Sequence, residues 1–386
     1  MRRIYLDHTA TTPLDPRVMD AMRPCFSGMF GNASSIHSYG RESRELLERA
    51  RGVIAGAVGA EPAEIFFTSG GTEADNLAVT GVMSAVRDRN GIVTSATEHH
   101  AVLEPCRHLA ESGKEVSFLP VDALGSVDMD SLRRVVGERT ALVSVMHANN
   151  ETGTIAAIPA IAAIAHKAGA LVHTDAVQSA GRIPVDVREL GVDLMTLSAH
   201  KMYGPKGIGV LFVKRGTPLE PLLRGGGQER GRRPGTENVP LAVGFAEAVR
   251  LSSLEREEES PRLRTLRDSL EERIRALFPA VIVNGDPGAR LPHILNVSFD
   301  ALEYPLEGDM LVMNMDLEGI AVTSGSACTS GSLEPSHVIL AMGRDEKTAK
   351  ATLRFSFGRG NTMDDVAAVA GTLNIVIGRM LKKHAS

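Results

Sequence analysis

The chain has few of the features that mark secreted, membrane-spanning or nucleic-acid-binding proteins. Its 386 residues include three cysteines, whose wide spacing excludes a disulfide framework and matches no zinc-ligand pattern, so no metal site is expected. The longest weakly polar run, 154–165, is interrupted by Pro159 and is too short to span a membrane. A formal net charge of −5 gives no reason to expect nucleic acid or an anionic membrane as a partner.

The N-terminal residues do not resemble a signal peptide, because charges at Arg2, Arg3 and Asp7 interrupt any apolar segment. A cytoplasmic protein is therefore expected. With 43% hydrophobic and 23% charged residues, the composition is that of an ordinary globular protein. A chain of this length favours two domains over one.

The stretch 198–207 is the most informative part of the sequence. It lies between two apolar runs, 192–197 and 208–213, which predict strands, so Lys201 follows a strand end. Small residues and glycines around Lys201 let the backbone approach a ligand closely. A lysine partly desolvated in such a place has a lowered pKa and can form a Schiff base, the chemistry that pyridoxal phosphate uses. The alternative is a turn lysine without a chemical role.

Strands and helices alternate through the first 250 residues. Helical periodicity between the strands, as in 158–168, predicts helices on both faces of a mostly parallel sheet, an α/β architecture. In such sheets, ligands bind at the carboxyl ends of the strands. The seven predicted strands are 64–68, 92–95, 115–119, 141–146, 171–174, 192–197 and 208–213.

Polar side chains cluster after four of these strands, at 97–100, 147–151, 173–178 and 198–201. Asp175 after an apolar strand needs a positive partner, and a protonated pyridine nitrogen is one. Gln178 can donate to a ring oxygen, and His99 can stack on a ring. A structural role would explain each of these residues taken singly, but their convergence on one edge of the sheet favours a binding site.

Two glycine-rich segments are candidate anion sites. Residues 69–76 open a helix in which Gly71 and Thr72 expose backbone N–H groups and a hydroxyl at the positive end of the dipole. The alternative is a simple capped helix. The basic loop 225–238 can bind an anion or bridge subunits, or it is a flexible surface loop. An earlier helix, 46–57, has an apolar face, and Arg51 is assigned to its polar face.

The C-terminal third predicts a smaller α+β domain. A helix from Leu241 into the 250s precedes the charged run 255–267, which is most simply a solvated helix face. A helix is also expected at 261–276, and the boundary is placed near 256. The large domain is then 16–255. The small domain comprises 1–15 and 256–386.

Cys328 lies in a loop, about 322–337, that is rich in serine, glycine and threonine. A cysteine on such an exposed segment is expected to act as a nucleophile through its thiolate. Cys25 and Cys106, in helix or turn contexts, are expected to be structural.

Taken together, these segments resemble the cysteine desulfurases, which are class V, fold-type I pyridoxal-phosphate enzymes. The likeness runs nearly end to end and implies an aspartate aminotransferase-like large domain that binds the cofactor. His8 departs from the pattern, since a small or amide residue is more frequent there. The matching stretches are 5–7, 31–32, 69–73, 97–99, 149–153, 175–178, 198–201 and 325–328.

The resemblance implies a role for each matching residue. Lys201 forms the Schiff base with pyridoxal 5′-phosphate, Asp175 pairs with the ring nitrogen, Gln178 binds the phenolic oxygen and His99 stacks on the ring. The phosphate contacts are implied to be Gly71, Thr72, Ser198, His200 and, from the neighbouring subunit of a homodimer, Thr236. The residues implied to surround the substrate carboxylate are Asn32, Asn150 and Arg354.

The implied reaction converts L-cysteine to L-alanine and leaves the sulfur as a persulfide on Cys328, from which an acceptor protein takes it. Iron–sulfur cluster assembly, tRNA thiolation and DNA phosphorothioation all fit as destinations. A selenocysteine lyase or another class V enzyme is the alternative among enzymes. A non-enzymatic sulfur carrier that uses Cys328 alone is the alternative outside them, although it would need neither Lys201 nor Asp175.

Overall fold

The computed structural model describes residues 3–325 and 334–384. Within these ranges the chain forms twelve strands and twelve α-helices. The strands are β1 (Ile4–Tyr5), β2 (Ile65–Thr68), β3 (Gly91–Ser95), β4 (Glu115–Leu119), β5 (Thr140–Ser144), β6 (Leu171–Asp175), β7 (Leu194–Ser198), β8 (Gly209–Val213), β9 (Val281–Asn284), β10 (Ile294–Phe299), β11 (Ile320–Ala321) and β12 (Thr352–Ser356). The helices are α1 (Pro16–Met22), α2 (Ser38–Ala57), α3 (Gly71–Ala85), α4 (His100–Glu111), α5 (Met129–Val135), α6 (Ile158–Lys167), α7 (Val187–Leu190), α8 (Val239–Leu277), α9 (Gly308–Leu317), α10 (His337–Ala341), α11 (Glu346–Lys350) and α12 (Met363–His384).

The predicted seven-stranded sheet is confirmed, with the strand order β2-β8-β7-β6-β5-β3-β4. The pairs among β3 to β7 are parallel, whereas β8 runs antiparallel to both β7 and β2. Strands β3, β5, β7 and β8 are buried along their whole length, because helices cover both faces of the sheet. The edge strand β4 exposes Glu115 and Phe118 to solvent.

A second, smaller sheet of order β12-β10-β9 is antiparallel and has its own hydrophobic cluster, which includes Phe299 and Phe355. The first strand of the chain reaches this part of the molecule: β1 pairs in parallel with β11, and Ile4 lies opposite Ile320. The division into 16–255 and 1–15 with 256–386 stays a prediction.

Helix α8 is one continuous helix of 39 residues, whereas the sequence suggested one helix from Leu241 and another at 261–276. The charged run between them is helical, as expected. The helix is continuous because both of its ends have a core to bury: Val249 packs in the large cluster and Leu270 in the small one. Pro261 is tolerated inside it because that residue is exposed, so water can satisfy the carbonyl group that its missing N–H leaves free.

In the part of the chain that the structure describes, no helix is both long enough and apolar enough to cross a membrane.

Candidate active site

One cavity at the carboxyl ends of β6 and β7 collects all of the predicted cofactor residues except Thr236. Its volume is about 180 Å³. The first turn of α3 closes one side, and the residues after β3, β5, β6 and β7 form the rest. The lining residues are Gly71, Thr72, Asp75, His99, Met146, Asn150, Asp175, Val177, Gln178, Ser198, His200 and Lys201.

Lys201 ends a short 3₁₀ turn, Ala199–Lys201, that follows β7 directly. Its Nζ donates to the backbone carbonyl oxygens of Thr9 at 2.6 Å and Ala10 at 2.8 Å. Burial, with a smaller contribution from the positive charge of Arg354, lowers the pKa of Lys201 to about 8, against the opposing effect of Asp175. The amine is therefore much more readily available as a nucleophile than that of a surface lysine.

Asp175 ends β6, and its Oδ1 accepts a hydrogen bond from the Val177 N–H at 2.8 Å. Burial raises the pKa of this carboxyl to about 6, although the Val177 N–H and Lys201 act in the opposite direction. Gln178 lies just beyond and donates from Nε2 to the Thr9 carbonyl oxygen at 3.1 Å. Because Thr9 binds both Gln178 and Lys201, the N-terminal segment lies beside the cavity.

The N-terminus of α3 is open for an anion. Its cap residue is Gly70, which has no side chain, and the first-turn N–H groups of a helix have no partner within the helix. A Cβ on Gly71 would lie 3.2 Å from Cγ2 of Val177 and 3.7 Å from Cβ of Ser198, so a side chain here would crowd this approach. The position suits a phosphate group.

The two cavity histidines are neutral. His99 caps α4, its Nδ1 accepts from the Ala101 N–H at 3.1 Å, and burial and the charge of Lys201 lower its pKa to about 4. His200 contacts the Thr11 hydroxyl at 3.1 Å through Nδ1, and burial with Lys201 lowers its pKa to about 4 as well. Neutral rings can stack or donate one hydrogen bond without adding positive charge.

Arg354 lies on β12 beside the cavity. Its Nη1 donates to the Asn150 carbonyl oxygen at 2.9 Å, and its Nη2 pairs with Oδ1 of Asp7 at 2.8 Å. Its Nε is buried and has no hydrogen-bond partner among the described residues. By contrast, Asn32 is not among the cavity-lining residues, and its Oδ1 accepts from the Ser34 N–H at 2.9 Å.

Thr236 lies in a different cavity of this chain, of about 270 Å³, which it shares with Ser69 and Arg233. His8 also lies away from the cofactor residues, in a larger cavity of about 750 Å³ formed by the N-terminal segment and residues 359–361. Neither cavity contains Lys201.

Cys328 lies outside the described residues. On either side of it, Gly325 and Ser336 both contact the buried carboxyl of Glu151: the Ser336 hydroxyl donates to Oε2 at 2.5 Å, and a Cβ on Gly325 would lie 2.3 Å from the same oxygen. The other two cysteines, Cys25 and Cys106, are buried, and burial raises the pKa of the Cys106 thiol to about 12. They have the surroundings of structural cysteines.

The loop 225–238 is anchored, and the assignment of Arg51 to the polar face of its helix was wrong. Arg51 is 3% exposed, and its two terminal nitrogens each lie 2.8 Å from the buried carboxyl of Glu229, which also accepts from the Phe67 N–H. Glu229 and Arg230 both have left-handed backbone, with φ of 46° and 55°. This pairing holds the loop against α2 and β2.

Two sets of contacts were missed from the sequence. The carbonyl groups of Thr9 and Ala10 leave no sequence signal, because any residue supplies the same oxygen. Asp75 could have been found, since it lies four residues after Gly71 on a helix and therefore on the same face.

Pyridoxal 5′-phosphate fits the groups that this cavity presents. An uncapped helix start with a glycine suits its phosphate, a buried carboxyl with a raised pKa suits its ring nitrogen, and an amine with a lowered pKa suits its aldehyde. A cation opposite Asp175 would offset the cost of burying that carboxylate.

Residues 4–369 match the family model described as Aminotransferase class-V. The chain is 46% identical over 380 residues to the cysteine desulfurase IscS of Dictyoglomus turgidum, covering 98% of this chain and 95% of that protein. It is 44% identical over 370 residues to the cysteine desulfurase NifS of Azotobacter vinelandii, covering 96% of this chain and 91% of that protein. A solved structure titled NIFS-LIKE PROTEIN superposes with a TM-score of 0.90 at 36% identity, covering 98% of this chain and all of that one. The chain therefore belongs to the class V aminotransferase family, among its pyridoxal-phosphate-dependent cysteine desulfurases.

Proposed function

We propose that this protein removes sulfur from L-cysteine, releases L-alanine and holds the sulfur as a persulfide on Cys328 before an acceptor protein takes it. The observation that carries the proposal is the convergence of Lys201, Asp175 and the start of α3 on one small cavity. A sulfur carrier needs none of these groups, whereas cleavage of the Cβ–S bond of an amino acid with pyridoxal phosphate uses all of them.

Each group of the cofactor has a counterpart in the cavity. Gly71, Thr72, Ser198 and His200 would hold the phosphate, Asp175 the ring nitrogen and Gln178 the phenolic oxygen, while His99 would cover the ring face. Lys201 would hold the cofactor covalently. Once bound, pyridoxal 5′-phosphate supplies a Schiff-base carbon and a ring that accepts the electrons left when a Cα proton is removed.

The substrate carboxylate is assigned to Arg354 and Asn150, with Asn32 beside them. The Nε of Arg354 has no partner in the described part of the chain and can donate, and the contacts of Nη1 with Asn150 and of Nη2 with Asp7 fix the plane of the guanidinium group. A planar fork held in this way binds a carboxylate through two hydrogen bonds and so orients the amino acid.

Lys201 is assigned the proton transfer at Cα. With a pKa near 8 it is partly neutral at physiological pH, and a neutral amine can take a proton and return it. The carbonyl oxygens of Thr9 and Ala10 hold its Nζ in place when the amine is free.

The sulfur step needs no outside oxidant. The Cys328 thiolate attacks the sulfur of L-cysteine, so that a sulfur–sulfur bond forms as the carbon–sulfur bond breaks. The electron pair of that bond goes to Cβ, which takes up a proton and becomes the methyl group of L-alanine. Sulfur is oxidised as carbon is reduced, and the products are L-alanine and the persulfide of Cys328.

We further propose a homodimer in which Thr236 reaches the phosphate bound to the other subunit. This is supported by its position in a cavity of its own chain that lacks Lys201. The acceptor is a protein of iron–sulfur cluster assembly, tRNA thiolation or DNA phosphorothioation. The small domain, 1–15 with 256–386, would present Cys328 to this acceptor protein. The reaction would take place in the cytoplasm.

The test is release of L-alanine and sulfide from L-cysteine in the presence of pyridoxal phosphate and a thiol. Wild type is expected to make both products. Cys328→Ala is expected to bind the cofactor, judged by its absorbance, and to make neither product. Lys201→Ala is expected to lose the covalent link to the cofactor.

Cys25→Ala is the matched control, because it also removes a thiol but lies buried at 4% exposure. It should be as active as wild type. Full activity of Cys328→Ala would show that another group takes the sulfur and would overturn the assignment.

A further inference from the structure

The cofactor cavity contains a second buried carboxyl group, that of Asp75, to which the reaction described above gives no role. Asp75 lies on α3 and is 1% exposed. Its Oδ1 has no hydrogen-bond partner among the described residues. It lines the same cavity of about 180 Å³ as Asp175.

Both carboxyl groups lie at β6. His173 and Asp175 are two residues apart on this strand and therefore point to the same face of the sheet. Oδ1 of Asp75 lies 3.6 Å from Nε2 of His173. The Thr196 hydroxyl lies 3.1 Å from the same nitrogen.

His173 does not supply a positive charge to this cluster. Its ring is fully buried, with Nδ1 2.8 Å from the Ser144 hydroxyl, and burial lowers its pKa to about 3. The third carboxyl facing the region, Glu98, is also fully buried and accepts from the Met146 N–H at 2.8 Å. Lys201 is the cation that acts on Asp175.

Burial is the main reason that the pKa of the Asp75 carboxyl lies well above its usual range, and the nearby Asp175 and Glu98 carboxyls raise it further. The Thr196 hydroxyl acts in the opposite direction. Two carboxylates closed off from water in one site cannot both ionise at ordinary cost, so one of them keeps a proton. Asp175 accepts a backbone N–H and faces Lys201, and it is therefore the member of the pair that ionises.

We propose that Asp75 keeps its proton in the folded protein while Asp175, in the same cavity, is ionised, so that Asp175 alone faces the cofactor ring nitrogen as an anion. Asp75 is then a positioning residue that acts through Asp175. The inference rests on the cofactor site proposed above and not on the sulfur-transfer step.

This arrangement makes Asp75 a second possible counter-ion for the ring nitrogen. If Asp175 is replaced by a neutral residue, the repulsion that holds the proton on Asp75 is removed. Asp75 then ionises more readily and can face the ring nitrogen in its place. A residue that only filled space would show no such dependence.

The first experiment is a double-mutant cycle on the affinity of the apoenzyme for pyridoxal phosphate, measured by equilibrium dialysis. The variants are Asp75→Asn, Asp175→Asn and the double variant. The loss in affinity caused by Asp75→Asn is expected to be at least about tenfold larger in the Asp175→Asn background than in wild type. Equal losses in the two backgrounds would mean that Asp75 is merely structural.

The second experiment counts protons released when the apoenzyme is denatured by guanidinium at neutral pH, using an indicator dye. A protonated Asp75 ionises on unfolding, so wild type is expected to release about one proton more than Asp75→Asn. Glu104→Gln is the matched control. The Glu104 carboxyl is exposed, and hydrogen bonds from His100 and Arg107 outweigh its slight burial and lower its pKa, so it should release the same number as wild type. An Asp75→Asn count equal to that of wild type overturns the proposal.

A third measurement needs no variant, in case Asp75→Asn folds poorly. The infrared spectrum of the wild-type apoenzyme in heavy water should contain the carbonyl band of unionised carboxylic acid at neutral pH, and absence of that band also overturns the proposal. None of the three experiments involves turnover, so failure of the desulfurase assay would leave their results interpretable.

Discussion

At the scale of single residues, the chemistry of Lys201 is set by what surrounds its amine. Two backbone carbonyl oxygens hold Nζ, and burial with the charge of Arg354 favours the neutral form. The hydrogen-bond acceptors of Nζ are backbone atoms, so no substitution of another side chain would remove them.

Attachment of the cofactor should report this pKa directly. Only the neutral amine attacks the aldehyde, and the neutral fraction rises as pH increases through about 8. The rate constant for incorporation of pyridoxal phosphate into the apoenzyme is expected to rise about tenfold per pH unit below that value and to level off above it. Stopped-flow absorbance measures it, and a rate that keeps rising to pH 10 would contradict the lowered pKa.

Gly325 should resist substitution for two separable reasons. Its φ of +91° disfavours any side chain, and a Cβ would lie 2.3 Å from Oε2 of Glu151. Gly325→Ala is therefore expected to lower the midpoint of thermal unfolding more than Gly343→Ala, which has a φ of +84° but no atom within 4 Å of its Cβ. Equal shifts in the two variants would show that the contact with Glu151 carries no cost.

Most residues of the cofactor cavity could be predicted because they follow strand ends, where parallel strands of one sheet must converge. The partners of Lys201 could not be predicted, since Thr9 and Ala10 contribute only backbone oxygen atoms from more than 190 positions away. Their place depends on how the N-terminal segment crosses the finished sheet, which no local pattern encodes.

At the scale of elements, the seven strands follow from apolar runs of four to six residues, whereas charged positions were harder to assign. Helical periodicity placed Arg51 on the solvent face of α2. Its partner, Glu229, is 178 residues away in a loop without periodicity, and the ion pair converts a polar position into a buried one. A pattern within one helix cannot reveal a partner in a distant loop.

This ion pair should be the main anchor of the loop 225–238. Glu229→Gln leaves the Arg51 charge buried with only the partly exposed Glu48 beside it, and is expected to lower the free energy of unfolding by about 3 kcal/mol. Denaturant unfolding followed by circular dichroism measures the change.

The control is Glu45→Gln, which removes the partner of Arg49 in a pair whose side chains are both about 70% exposed. Its effect should stay within about 0.5 kcal/mol. If the two variants lose the same stability, the buried pair contributes no more than a surface one.

At the scale of the whole molecule, α8 links the two hydrophobic clusters with one continuous rod. The charged run 255–267, expected to be a solvated helix face, lies within this helix. Local composition could not show that the helices predicted from Leu241 and at 261–276 are one element.

Breaking α8 at its middle should uncouple the two clusters. Glu257 is exposed, and Glu257→Pro removes one helical hydrogen bond and clashes with the preceding turn, at a cost of about 3 kcal/mol. Scanning calorimetry is expected to show two unfolding transitions in place of one, and pyridoxal phosphate should raise the temperature of one transition more than that of the other. Glu257→Ala keeps the helix and should retain the wild-type trace. A single transition in Glu257→Pro would mean that other contacts couple the two clusters.

The pairing of β1 with β11 has a consequence for synthesis on the ribosome. Ile4 is made more than 300 residues before its partner Ile320. The segment that follows β1 supplies the carbonyl oxygens that hold Lys201. The large sheet can form while translation continues, and residues 9–10 can contact it, but β1 must wait unpaired until β11 has been made. The segment that holds Lys201 is thus anchored at its other end only after most of the chain has been synthesised.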